Sequence, residues 1–171
     1  MHIVLVQPEI PQNTGNIART CAATGAKLHL IKPLGFELSD KYLKRAGLDY
    51  WHMMTYEVHA SWDAFREAYP DAVLHFATTK APRDYCAATY GPDDFLVFGR
   101  ETKGLDEALL AEHYERCIRI PMRPDARSLN LSNSVAIVLY EALRQQGFPG
   151  LSGRGQLHHT EVAGGEWKDY V

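Results

Sequence analysis

Three stretches of the chain gather side chains suited to holding charged or hydroxyl-bearing ligands. The first is Asn13-Thr14-Gly15-Asn16-Ile17-Ala18-Arg19-Thr20-Cys21, where amides and a guanidinium fall near a helix N-terminus. Free N–H groups, the positive dipole end and a forked cation together suit phosphate or ribose oxygens. A plainer reading makes Asn13 or Thr14 an N-cap and leaves Arg19 solvated. The second is Phe98-Gly99-Arg100-Glu101-Thr102-Lys103-Gly104-Leu105. Its two glycines let backbone pass close to a ligand, and Glu101 accepts hydrogen bonds from N–H or O–H groups. The plainer reading here is a strand-to-helix turn. The third runs from Ile120 to Ser134. It places Ser128, Asn130, Ser132, Asn133 and Ser134 within seven residues, more hydroxyls and amides than one N-cap uses, which points to a polar pocket. Ser128 or Ser132 as a nucleophile is the alternative, though no histidine lies nearby in sequence.

Better-known ligand motifs are missing. There is no GxGxxG, and the Gly99–Gly104 stretch has P-loop glycine spacing without the Lys-Ser/Thr that holds phosphate and Mg²⁺. Zinc-finger spacing and GxSxG are absent too. Of eight histidines only His158 and His159 are adjacent, in a glycine-rich tail, a weak metal signal without further ligands.

The elements that must position these stretches read as alternating short apolar runs and amphipathic segments, the pattern of a mostly parallel sheet covered by helices. Strands are expected over His2–Gln7, Leu28–Ile31, Val73–Thr78, Phe95–Phe98 and Cys117–Ile120. A helix is expected over Thr14–Thr24, with Ile17, Ala18 and Cys21 inward and Gly25 as terminator. Shorter helices are expected over Ser39–Ala46 and Ser61–Tyr69, the latter capped by Ser61 and stopped by Pro70. The last, Leu131–Gln146, is apolar almost all round at its centre, which predicts burial on two sides. Each of the three ligand-holding stretches then follows a strand's carboxyl end, where open α/β sheets bind ligands.

With 171 residues, 46% hydrophobic and 23% charged, the chain suits one globular domain with a substantial core. Its longest aliphatic run, Val135–Leu139, is far short of the roughly 18–20 residues a membrane span needs. The N-terminus lacks secretory-signal features, which predicts a cytoplasmic protein. Cys21, Cys86 and Cys117 are too widely spaced for a disulfide framework, and all three are expected as packing residues. Five of thirteen glycines fall in residues 150–171, so 1–149 reads as the domain and 150–171 as a flexible tail. The net charge of −3 carries no global signature of nucleic-acid binding.

Taken in order, the Asn13–Cys21 stretch, FGxExxGL at Phe98–Leu105 and IPMxPDxRSLNLSNSVAIVLYEALRQ from Ile120 resemble the three motifs of SPOUT-class RNA methyltransferases. The closest resemblance is to the small tRNA wobble-nucleotide 2′-O-methyltransferases, over residues 1 to about 149, with Glu9-Ile10-Pro11 and Arg45–Tyr50 also matching. The resemblance implies an α/β fold with a mostly parallel sheet and a deep C-terminal trefoil knot, an exception to unthreaded topology. It further implies S-adenosyl-L-methionine as methyl donor without a metal, a homodimer, and the tRNA anticodon stem-loop as partner. Carried over by position, the cofactor pocket comprises Ala77, Thr78, Gly99, Glu101, Gly104, Ile120, Ser128, Leu129 and Asn130, and the catalytic set Arg19, Asn13, Ser128 and Asn130.

RNA contact falls to local cations: Lys41, Lys44 and Arg45 on one short helix, whose plainer reading is a solvated face, and Arg123 and Arg127 beside the pocket, with Lys80, Arg83 and Arg144 also flanking it. The competing readings are a non-catalytic RNA- or nucleotide-binding module, a related enzyme acting at another RNA site, and a flavodoxin-like protein.

Overall fold

A computed structural model describes residues 1–37 and 55–155. The expected helix Ser39–Ala46, with Lys41, Lys44 and Arg45, lies outside the described residues, as do His158 and His159.

The sheet has six strands: β1 (His2–Val6), β2 (Lys27–Ile31), β3 (Tyr56–His59), β4 (Leu74–Ala77), β5 (Phe95–Phe98) and β6 (Cys117–Ile118). They pair in the order β3-β2-β1-β5-β4-β6, every neighbour parallel. Parallel pairing forces long crossovers, which cover both faces and explain why Ile3–Val6 of β1 and the whole of β5, at the centre of the sheet, are apolar without alternation. On one face Ile3, Leu5, Leu28, Leu30, Leu96 and Phe98 pack beneath α1 (Pro11–Thr24) and α4 (Leu131–Gln145). On the other, Val4, Ile31, Phe76 and Val97 pack beneath α2 (Trp62–Ala68), through Phe65, and α3 (Glu107–Glu112), through Leu110. No helix among the described residues is long and apolar enough to cross a membrane.

Ile17, Ala18 and Cys21 are buried and Gly25 ends α1 at φ 74°. Ser61 caps α2, its hydroxyl accepting from the Ala64 N–H at 3.1 Å. Four expectations need correction. First, α1 begins at Pro11, whose fixed φ suits the first helical position, so Ile10 is the N-cap and Asn13 and Thr14 are buried inside the helix. Second, β3 and α3 had no counterpart in the expected elements. Third, Cys86 is exposed, whereas Cys21 and Cys117 are buried. Fourth, α4 is buried on one side only, through Val135, Val138, Leu139, Ala142 and Leu143, while Tyr140 is 46% exposed.

Candidate active site

Strand order reverses between β1 and β5: the chain steps outward from β1 to β2 and β3, then returns to place β5 on β1's other side. A crevice opens at the carboxyl ends where connections diverge in this way. The loops leaving β1 and β5 meet there and grip each other reciprocally. The Glu101 carboxylate accepts from the Glu9 N–H at 2.8 Å and the Ile10 N–H at 3.1 Å. The Glu9 carboxylate accepts from the Thr102 N–H at 3.1 Å and hydroxyl at 2.8 Å. Because Ile10 has no side chain that could cap α1, Glu101 supplies the anion at that helix end from a remote part of the chain.

The same carboxylate accepts from Asn13 Nδ2 at 3.0 Å. Asn13 Oδ1 in turn accepts from Asn130 Nδ2 at 2.9 Å, and Asn130 caps α4 by accepting from the Ser132 N–H at 2.9 Å and hydroxyl at 2.7 Å. One hydrogen-bonded chain, Glu101–Asn13–Asn130, therefore ties the three candidate stretches together. Part of the hydroxyl excess at the start of α4 is local: Ser132 serves the cap, and Ser134 donates to the Asn130 carbonyl at 3.1 Å.

A cavity of about 580 Å³ lies over this chain, within the range of small-molecule sites. Phe98, Leu105, Ile118 and Val138 supply apolar lining, and Ala77, Thr78, Gly99, Glu101, Gly104, Ile120, Ser128, Leu129, Asn130 and Asn13 all line it. The glycines are geometric necessities. A Cβ on Gly99 would lie 2.1 Å from the Gly104 carbonyl carbon, and Gly104 adopts φ +69°, where other residues are strained. Lys80 lines the rim and pairs with Glu107, whose carboxyl it holds below the ordinary range by hydrogen bonding.

The remaining site residues divide. Arg127 lines the cavity, and Arg123 borders a shallower hollow with Ser128 and Leu129. Arg19 is exposed on α1 and does not line its own chain's cavity. Arg144 is engaged by Glu141 at 2.8 and 2.9 Å. Sequence reasoning missed the roles of Ile10, Thr79 and Lys103, which line the cavity, and the Glu9–Thr102 clamp. Only the match of Glu9-Ile10-Pro11 to the resembled family hinted at that region.

An apolar cradle with a glycine-shaped wall and a rim of hydroxyls, amides and one carboxylate fits a nucleoside-bearing ligand. The relatives agree. The model of the SpoU rRNA methylase family matches residues 1–140. The chain belongs to the SpoU methylase family. A curated family relative, the Escherichia coli (strain K12) tRNA (cytidine(34)-2′-O)-methyltransferase, is 51% identical over 88% of this chain and 96% of its own. A solved structure described as giving insight into 2′-OH methylation of C/U34 on tRNA is 47% identical, with a TM-score of 0.80 over 85% of this chain and 95% of that one. The SpoU methyltransferase AviRb from Streptomyces viridochromogenes, crystallised with AdoMet, is 25% identical, with a TM-score of 0.70 over 85% of this chain and 60% of its own. The cavity residues expected for the cofactor fall at the end of β4 (Ala77) and on the loops after β4, β5 and β6.

Proposed function

We propose that this chain methylates the ribose 2′-hydroxyl of the tRNA wobble nucleotide, cytidine or uridine 34, using S-adenosyl-L-methionine. The observation that carries the reading is the Glu101–Asn13–Asn130 chain, which draws the three motif loops onto one cavity of suitable size. When bound, S-adenosyl-L-methionine supplies a methyl group activated on a sulfonium. Leu105, Ile120 and Val138 offer apolar contact to the ligand, and the Gly99–Gly104 loop lets backbone approach it. Ser128 and Asn130 offer polar contacts to ligand or ribose.

A guanidinium has no proton-accepting nitrogen, so the role of Arg19 is to clamp the neighbouring phosphate and stabilise developing alkoxide charge, while the 2′-hydroxyl proton leaves late to phosphate or water. Since Arg19 does not line the cavity of its own chain, we assign it to the site of a second copy in a homodimer. Exposed Tyr140 and half-exposed Ile137 on α4, beside α1, support that assembly. The anticodon stem-loop falls to Arg123, Arg127 and the Lys41, Lys44 and Arg45 cluster. The reading also includes residues 1–149 as the catalytic domain, the C-terminal trefoil knot and a cytoplasmic setting. The return of α4 from edge strand β6 to pack on α1 and β5 supports the knot.

The test is incubation with total tRNA and labelled S-adenosyl-L-methionine, repeated on a transcript with a 2′-deoxy wobble nucleotide. Label on tRNA that vanishes with the deoxy substitution is expected. Label that persists moves the target elsewhere in the RNA, and no label on any naturally modified tRNA leaves a binding module.

A further inference from the structure

On the sheet face beneath α2, strands β1, β2 and β3 contribute a polar row to an otherwise aliphatic layer. His2, His29 and His59 come one from each strand, with ring centroids 5.2 and 5.3 Å apart and planes tilted by 28° and 24°. Ring nitrogen meets ring nitrogen at both steps: His2 Nδ1 to His29 Nε2 at 2.9 Å, and His29 Nδ1 to His59 Nε2 at 3.1 Å. Glu57, two residues before His59 and so on the same strand face, places Oε2 3.8 Å from His29 Nδ1 and 3.7 Å from His59 Nε2.

We propose that His29 Nδ1, His59 Nε2 and Glu57 Oε2 form a binding site for a zinc-type transition-metal ion that pins the edge strand β3 to β2. Separations of 3.1, 3.7 and 3.8 Å bracket the roughly 3.3–3.4 Å between ligand atoms around a tetrahedral ion with bonds of about 2.0–2.1 Å. Among the described residues this is the one group of three or more histidine, cysteine or acidic side chains whose ligand atoms converge within 4.8 Å.

The supporting shell is already built. In the tautomer whose Nε2–H donates to His2 Nδ1 across the 2.9 Å contact, His29 turns its Nδ1 lone pair inward, the usual outer-shell arrangement of a metal-bound imidazole. Tyr69 donates its hydroxyl to Glu57 Oε2 at 2.7 Å and Lys27 donates to Oε1 at 2.5 Å, so the carboxylate is oriented before an ion arrives. Burial keeps the His29 ring neutral, its pKa pushed down to about 3. The His29 side chain is wholly buried, but Glu57 is 40% exposed, which gives an ion an entry path and a solvent-side fourth position. With no ion, the 3.1 Å contact needs one proton between His29 Nδ1 and His59 Nε2. An ion there requires that proton to sit on His59 Nδ1 instead, which leaves the charge of the rings unchanged.

The experiment uses untagged protein stripped with a chelator, then melted with and without Zn²⁺ and titrated with Co²⁺. Zn²⁺ at about 100 times its Kd is expected to raise Tm by roughly 5–10 °C, and Co²⁺ to give the strong visible bands of a tetrahedral site. Both responses should vanish in Glu57→Gln and in His59→Gln, with circular dichroism confirming that the chelated variants fold. Both should survive in the double variant His158→Ala/His159→Ala. Absence of a Tm rise and of cobalt bands in the parent protein overturns the proposal. So does a response that persists in Glu57→Gln and His59→Gln but is lost with the tail histidines.

Discussion

The cleft at the strand ends and the histidine row beneath α2 both gather polar side chains, yet they are built in opposite ways. In the cleft the groups sit on loops: Glu101, Asn13 and Asn130 satisfy one another and two helix termini, while Ser128, Leu129 and Arg127 stay exposed on the rim. In the row the groups sit on strands fixed by register, His29 opposite Glu57, and face a hydrophobic roof of Phe65 and Tyr69. The cleft leaves polar groups beside space a substrate can occupy, whereas the row meets solvent mainly at Glu57. The contrast separates a site that must accept large ligands from one that holds at most an ion.

The largest effect is expected at Arg19. Arg19→Lys keeps the charge but loses the planar fork, so methyl transfer should fall by about 10²-fold or more with Tm unchanged. Near-full activity in that variant would break the phosphate-clamp role. Next is Glu101→Ala, which strips partners from two backbone N–H groups and from Asn13. Urea unfolding should show a loss of about 2–3 kcal/mol together with loss of methyl transfer. If stability fell while transfer stayed intact, the hydrogen-bonded chain would be scaffolding for α1 and no part of the cleft's function.

The row should make stability depend on pH. Burial lowers the pKa of His29 to about 3, and of His2 and His59 less strongly, from 6.5. Facing these rings are Lys27, whose charge also disfavours protonation of His29, and Glu57, which favours it but is itself held ionised by Lys27. The unfolded chain therefore binds more protons below pH 6.5, and stability falls as pH drops through the window from 6.5 towards 3. His29 alone accounts for about 2 kcal/mol between pH 7 and pH 5. Denaturant titrations should show that decline in metal-free protein, flattened in His29→Asn. The smallest effect is expected at Ser61→Ala, which removes the α2 cap over the row and should cost about 1 kcal/mol, read as a small drop in Tm with methyl transfer unaltered.

What was legible in the sequence followed from local rules. β5 was expected with its observed bounds because four apolar residues between turn formers admit little else, and Ser61 announced its helix because N-caps have short-range signatures. The loops of the cleft could be named because glycines, amides and hydroxyls are visible one by one. Their junction could not: Glu101 and Glu9 lie 92 residues apart, and no periodicity records such a contact. β3 was missed because its inward residues are Glu57 and His59, polar types that read as solvent-facing until strand pairing shows their company. The start of α1 was misplaced because Asn13 looked like a cap, while the anion that performs the capping resides on another loop. The exposed Cys86 is invisible to a rule about the average burial of cysteine.

That borrowed anion bears on the order of events during synthesis. A growing chain that has produced α1 but not yet the β5 loop holds a helix end with no counter-charge and a binding hollow lacking one wall. The three loops are joined only after Asn130 has left the ribosome and docked on Asn13, so the cleft is completed late in synthesis.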